Sequence, residues 1–175
     1  MFSRLFPKSF KKKNLLILGA SGGVANALLH YLVHHRNLLD HLILLDKSDK
    51  VLADPYIDHR GLQYHFLHKE LKLPEHEKEY IQILKVYKID IVIDLTDVDS
   101  IPILEATNKA GVSYINTGMN DEVKLVSDLV LDVWKRRDEF TKARHIICAG
   151  MNPGIVNMWV RYGIDKFGVP KEVVH

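Results

Sequence analysis

Short apolar runs alternate with amphipathic segments along most of the chain, and the two patterns predict strands and helices in turn. Continuous apolar runs bounded by polar or glycine positions indicate buried strands, whereas apolar residues three or four apart indicate helices. The strand candidates are 15–18, 41–45, 63–67, 90–95, 112–116 and 145–149. The helix candidates are a segment from Val24, 75–88, 102–110, about 122–143, and a last segment from the glycine-rich run 150–154 to about Phe167.

Strands that alternate with helices predict an α/β fold with a parallel sheet covered on both faces. About six strands with crossover helices match a doubly wound, Rossmann-like dinucleotide fold, in which ligands lie beyond the carboxyl ends of the strands. Polar or glycine-rich residues follow most of the predicted strands, and we expect them to share one rim. They are 19–23, 46, 96–97, 117–118 and 150–154.

The first strand leads directly into a glycine-rich turn and then into a helix, which is the context that a dinucleotide fingerprint requires. We expect the first glycine to turn the chain, the second to let the backbone approach a pyrophosphate, and a small residue to let the helix pack closely. The helix N-terminus then offers N–H groups to the phosphates, and a serine in the turn offers a hydroxyl donor. These cofactor-binding candidates are Gly19, Ser21, Gly22, Gly23 and Val24, with Ala25 as the small residue.

An acid ends the second strand, 21 positions beyond Ala25. Asp46 is placed to accept hydrogen bonds from the adenosine ribose hydroxyls and to repel a 2′-phosphate, which favours NAD over NADP. Lys47 could pair with such a phosphate, so NADP stays possible. The alternative is a tight strand–helix turn followed by a solvated acid, but glycines and an acid at this distance favour the cofactor site.

Polar residues after the later strands are further cofactor-binding candidates. Thr96 and Asp97 follow the fourth strand, and Thr117 and Gly118 follow the fifth. Helix capping is the alternative for the first pair, because caps favour the same residue types. Asp97 is a weak candidate for acid–base chemistry, and the sequence identifies no catalytic residue.

The segment Asn152-Pro153-Gly154 precedes the last helix. It could be a plain cap, with asparagine at the cap and proline at the first helical position. A glycine inside a first turn is a poor helix former, however, and is better explained if a ligand approaches the backbone there. We therefore predict that all three residues bind the cofactor.

Composition and charge exclude several other classes of protein. The net charge of +2 is too small to indicate a nucleic-acid partner, and 47% hydrophobic residues with 26% charged ones are ordinary for a soluble domain. No segment approaches the roughly 20 apolar residues of a membrane span. The ten histidines lack metal-ligand spacing, and Cys148 as the only cysteine fits a reducing cytoplasm.

The expected domain organisation is a basic leader over residues 1–13 and one dinucleotide-binding domain over 14–175. The leader lacks acidic residues and lacks an apolar core of signal-peptide length. We interpret it as a flexible terminus, with a transit peptide or a surface-binding arm as the alternatives.

Four segments of the chain resemble the saccharopine dehydrogenase-like family, and within it homospermidine synthases. They are 19–25, 93–96, 114–118 and, most specifically, 150–156, which reads GMNPGIV. The resemblance implies NAD(P)-dependent oxidation of an amine to an imine, or reduction of an imine to a secondary amine. It also implies that this cofactor domain is the N-terminal part of a longer enzyme, inactive alone, whose further domain binds a small amine or amino-acid substrate.

Two other readings of the chain stay open at this point. A homo-oligomer is compatible with the sequence. A non-catalytic module that senses nucleotides or redox state could use the same fold, because function resides in the site rather than in the fold.

Overall fold

The computed structural model describes residues 11–54 and 61–172 of the 175-residue chain. Most of the predicted leader and part of the stretch between the second and third predicted strands therefore lie outside the described residues. The described residues form two compact units, one up to residue 96 and one from residue 97 on.

The strands confirm the predicted parallel α/β fold. The sheet has six strands in the order β3-β2-β1-β4-β5-β6, and the β1–β2, β1–β4, β2–β3 and β5–β6 pairs are parallel. The strands are β1 (Lys13–Leu18), β2 (Leu39–Asp46), β3 (His65–His68), β4 (Ile91–Asp94), β5 (Ser113–Asn116) and β6 (His145–Ile146).

Helices follow the strands as the apolar periodicity predicts. Within the described residues the α-helices are α1 (Gly23–His34), α2 (Glu77–Val86), α3 (Ser100–Lys109), α4 (Val126–Lys135) and α5 (Ile155–Phe167). A short 3-10 turn, Lys50–Ala53, follows β2. Among the described residues, no helix combines the length and apolar character needed to cross a bilayer.

The core of the first unit forms around β1 and β2. Leu16 of β1 pairs with Ile43 of β2, and both side chains are buried because the sheet is covered on both faces. Helix α1 packs onto this core through Ala25 and Leu29, which are completely buried. These strands position the glycine turn, which begins where β1 ends.

The core of the second unit forms around α3 and β5. Leu104 and Tyr114 are completely buried there, as is the Thr107 hydroxyl, which donates a hydrogen bond to the Ile103 carbonyl. Helix α5 differs from the other helices because none of its residues is buried.

Helix α4 corrects two predictions about the segment 122–143. The helix begins at Val126 because the Asp121 carboxylate accepts hydrogen bonds from the N–H groups of Val123 and Lys124, which makes a turn in place of helix. Trp134, which the periodicity predicts to be in the core, is 66% exposed.

The last strand is also shorter than predicted. β6 ends at Ile146, and Cys148 adopts a positive φ of 59° that no strand accommodates. The Cys148 N–H donates to the side-chain oxygen of the buried Asn116 at 2.8 Å instead of joining a strand ladder.

Candidate functional site

Gly19 makes the sharp turn from β1 that the sequence predicts. Its φ of +74° favours glycine, and a Cβ at this position would lie 2.7 Å from the Leu95 carbonyl oxygen and 3.1 Å from the Thr96 nitrogen. The absent side chain therefore gives room to the backbone that follows β4.

Gly22 and Gly23 open the N-terminus of α1 toward solvent. Gly22 is the N-cap with φ −77° and ψ 161°, and no side chain caps the helix. The first helical hydrogen bond runs from Asn26 N–H to the Gly22 carbonyl at 2.9 Å, so the N–H groups of the preceding turn have no partner within the helix. Val24 is 59% exposed beside them. An open first turn is the geometry that binds phosphates.

Asp46 is clamped between two backbone segments. One carboxylate oxygen accepts the Ser21 N–H and the other accepts the Ser48 N–H, each at 2.8 Å. A carboxylate offers about four acceptor positions, so acceptor capacity is left for the two hydroxyls of a ribose. The clamp fixes the acid relative to the glycine turn.

Ser21 ties the glycine turn to the residues after β2. Its hydroxyl donates to the Ser48 carbonyl at 2.6 Å and accepts the Val51 N–H at 3.3 Å. The hydroxyl proton is thus engaged within the protein, and its predicted donation to a phosphate stays a prediction. Sequence reasoning missed Ser48 and Val51, since loop contacts leave no periodic signal.

Thr96 is oriented by a buried acid that sequence reasoning also missed. Asp94, at the end of β4, is 3% exposed and accepts hydrogen bonds from the Thr96 N–H at 3.1 Å and from the Thr96 hydroxyl at 2.6 Å. The signal was an acid inside an otherwise apolar strand. Thr96 thus does not cap a helix.

In the second unit, the predicted site residues Asp97, Thr117 and Gly118 differ in their exposure to solvent. Asp97 is exposed, and the N-cap of α3 is Asp99, so Asp97 does not cap that helix either. Thr117 packs under Gly150, where an added Cβ would collide with the Thr117 carbonyl oxygen. Gly118 is half-buried beside Thr117.

The segment Asn152-Pro153-Gly154 corrects the predicted helix start. Gly154 is the N-cap of α5, with φ 136°, so neither Asn152 nor Pro153 occupies the cap or the first helical position. The reason is a tight loop, in which the Ile155 N–H donates to the Gly150 carbonyl at 2.9 Å. A Cβ on Gly154 would lie 2.8 Å from the Gly150 backbone nitrogen. Close packing of the chain is therefore one sufficient reason for this glycine, and its contact with a cofactor stays a prediction.

Cys148, just before this loop, is not an activated nucleophile. Burial raises the pKa of its thiol, and this effect exceeds that of the Met119 N–H, which acts in the opposite direction. The thiol therefore stays protonated near neutral pH.

A cavity of about 340 Å³ lies beside the glycine turn in the first unit. It is lined by residues 20–23, Asn26, and residues 50, 51, 53 and 54. Within the described part of the chain, no group of three or more histidine, cysteine or acidic side chains could hold a metal ion.

The first unit fits a dinucleotide. Its open α1 N-terminus suits a pyrophosphate, and the clamped Asp46 retains acceptors for a ribose. In the second unit, Gly150 lies against both Thr117 and Gly154, so these two candidates are close to each other.

Solved structures that resemble this chain are dinucleotide enzymes of low sequence identity. UDP-glucose-4-epimerase from Stenotrophomonas maltophila, with bound NAD and formylated UDP-arabinopyranose, has a TM-score of 0.54 and 15% identity over 77% of this chain and 51% of its own. dTDP-glucose 4,6-dehydratase from Bacillus anthracis, in complex with NAD, has a TM-score of 0.53 and 13% identity over 87% and 61%. Leucoanthocyanidin reductase from Vitis vinifera, in complex with NADPH, has a TM-score of 0.50 and 16% identity over 77% and 49%.

These likenesses show the fold. The chain spans 51%, 61% and 49% of the lengths of the three structures. No curated protein sequence matches the chain.

The family model described as the saccharopine dehydrogenase NADP binding domain matches residues 15–148. The matched range covers most of the described chain and includes the glycine turn, Asp46 and the polar residues that follow β4 and β5. This match agrees with the glycine turn, the clamped acid and the parallel sheet. The chain therefore belongs to the family of saccharopine dehydrogenase NADP binding domains, and its cofactor is NAD(P).

Proposed function

We propose that this chain is the cofactor domain of an NAD(P)-dependent oxidoreductase that acts on C–N bonds, oxidising an amine to an imine or reducing an imine to an amine. The observation that carries the proposal is the family match over residues 15–148. The GMNPGIV segment that follows the matched residues supports it, because it is the most specific part of the resemblance to homospermidine synthases.

The chain's own residues bind and orient the cofactor. The first-turn N–H groups of α1 hold the pyrophosphate, and Asp46 accepts the hydroxyls of the adenosine ribose. Thr96 and Asp97 are proposed to line the middle of the bound dinucleotide, and Thr117 and Gly118 are proposed to contact the cofactor as well. The segment 152–154 is proposed to lie beside the nicotinamide end. The nicotinamide supplies the hydride chemistry, and the protein supplies position and electrostatics.

The substrate, a small amine or amino acid, is proposed to bind in a further domain. Support comes from α5, on which Met158, Trp159 and Tyr162 are 67%, 61% and 60% exposed. An apolar helix face of this kind is typical of a surface that another element covers. We expect the present chain alone to bind cofactor and to turn over little substrate.

Titration calorimetry with NAD(H), NADP(H) and ADP-ribose tests the cofactor role. We expect NAD(H) to bind at least about tenfold more tightly than NADP(H), because the Asp46 carboxylate accepts the ribose hydroxyls and repels a 2′-phosphate. Asp46→Ala is expected to remove this preference and to weaken NAD(H) binding by about tenfold or more, since it also releases the Ser21 and Ser48 N–H groups.

Asp40→Ala is the matched control, because Asp40 is an exposed acid at the opposite end of β2. Its titration should match that of the unmodified chain. A preference for NAD(H) that persists in Asp46→Ala would contradict the role of Asp46. Cofactor binding without amine oxidation or imine reduction in the complete protein would favour the sensing module.

A further inference from the structure

The Ser21 hydroxyl closes a ring of hydrogen bonds around the acid that is proposed to hold the ribose. Asp46 accepts one N–H from Ser21 and one from Ser48, at 2.8 Å each. The Ser21 hydroxyl in turn donates to the Ser48 carbonyl at 2.6 Å. The two residues that hold the carboxylate oxygens of Asp46 are therefore joined to each other, and the Ser21 side chain makes this connection.

The glycine turn itself is tied to β2 by backbone hydrogen bonds. The N–H groups of Gly19 and Ala20 both donate to the Leu45 carbonyl, at 3.0 and 3.3 Å. Neither these hydrogen bonds nor the N-cap of α1 at Gly22 involves the Ser21 side chain. We therefore expect the turn and the first-turn N–H groups of α1 to stay in place when the hydroxyl is removed.

The residues that follow β2 depend on the hydroxyl more directly. Asp46 and Ser48 are two residues apart, so the hydrogen bond from the Ser48 N–H to the Asp46 carboxylate closes a local turn. The Ser21 hydroxyl holds this turn from outside, because it donates to the Ser48 carbonyl and accepts the Val51 N–H at 3.3 Å. The Val51 side chain is buried in the core, so loss of the hydroxyl gives freedom mainly to residues 47–50.

We infer, on the basis of the proposed function, that Ser21 is a positioning residue for ribose recognition, whose hydroxyl orients the Asp46 carboxylate by holding Ser48. Two acceptor positions of that carboxylate are taken by N–H groups, so its orientation decides where the remaining lone pairs point. An acceptor that is already oriented binds a ligand more tightly, because less freedom is lost on binding. The Ser21 hydroxyl thus acts on the ribose through Asp46 and without contact of its own.

Titration of Ser21→Ala with two ligands tests this inference. The ligands are NAD and its analogue in which 2′,3′-dideoxyadenosine replaces adenosine, so that both hydroxyls proposed to bind Asp46 are absent. For the unmodified chain we expect NAD to bind at least about tenfold more tightly than the analogue, as hydrogen bonds to a charged group imply. In Ser21→Ala the affinity for NAD should fall about fivefold, because the carboxylate is no longer oriented in advance. The affinity for the analogue should stay within about twofold of the unmodified value.

Equal losses of affinity for both ligands would overturn the inference, because a hydroxyl that donates to a phosphate, or that only supports the fold, affects both alike. In an Asp46→Ala background, Ser21→Ala should cause no further loss of NAD affinity. A further loss there would show that the hydroxyl acts through another group. Ser127→Ala removes a hydroxyl from an exposed position of α4 and should change neither affinity.

The unmodified chain separates failure of this inference from failure of the proposed function. If it prefers NAD to the analogue and Ser21→Ala keeps the whole preference, the inference is wrong and the proposed role of Asp46 stands. If it binds the two ligands equally, Asp46 does not hold the ribose, and the inference fails with that role. If it binds neither ligand, the proposed cofactor role itself fails.

Discussion

Gly22→Asp is expected to abolish dinucleotide binding while the domain stays folded. Gly22 is the N-cap of α1, and its φ of −77° is accessible to any residue. Aspartate is among the best N-cap residues, because its carboxylate accepts hydrogen bonds from the first-turn N–H groups. These are the groups proposed to hold the pyrophosphate, so the new side chain would occupy the phosphate position and repel the ligand.

The measurement is a dissociation constant for NAD(H) combined with a thermal unfolding curve. We expect binding to weaken by at least about 100-fold, or about 2.8 kcal/mol, with an unfolding temperature equal to or above that of the unmodified chain. We expect the fold to be retained, because the nearest non-neighbouring atom to a Cβ at Gly22 is the Gly19 carbonyl oxygen, 3.3 Å away.

Gly22→Ala separates charge from bulk, because it adds the same Cβ without the carboxylate. Its loss of affinity should stay near tenfold or below. Equal losses in the two variants would mean that bulk alone blocks the site. Unchanged affinity in Gly22→Asp would show that the glycine turn is only a turn and that phosphates bind elsewhere.

Strands β1 and β2 could be predicted because the burial of successive residues on both faces leaves a continuous apolar run in the sequence. β1 and β2 show this signal most clearly, and Gly19 marks the end of β1. The position of Asp46 at the end of β2 could be predicted from the apolar run before it and from its distance along the sequence from the glycine turn. Its clamp by the Ser21 and Ser48 N–H groups could not, because a hydrogen bond between loops depends on backbone geometry that residue types do not encode.

The second unit was harder to predict. Apolar periodicity shows that α4 has an apolar face, but it does not show whether another part of the protein covers that face. Trp134 is exposed there. The end of β6 depends on the positive φ of Cys148 and on the hydrogen bond that the Cys148 N–H donates to the side-chain oxygen of Asn116. For Gly154 the sequence indicated only a role in ligand binding, whereas the structure adds a second reason for a glycine, its close packing against Gly150.

Gly154→Ala is expected to destabilise the second unit by roughly 3 kcal/mol, from backbone strain and overpacking together. The φ of 136° excludes an L side chain without strain, and the new Cβ would collide with the Gly150 carbonyl oxygen. The Ile155 N–H donates to that same carbonyl at 2.9 Å, so relief of the collision also disturbs the first turn of α5. Equilibrium unfolding in urea, followed by far-ultraviolet circular dichroism, measures the loss.

Gly163→Ala gives the control within the same helix. Gly163 lies inside α5, and a Cβ there meets no described atom within 4 Å outside the helix backbone. Alanine should therefore stabilise the helix by about 0.5–1 kcal/mol, because it reduces the entropy of the unfolded chain. Opposite signs for the two variants would establish that Gly154 serves the packing of the loop. If Gly154→Ala leaves stability unchanged but weakens NAD(H) binding, the glycine serves the ligand, and the loop must open to admit it.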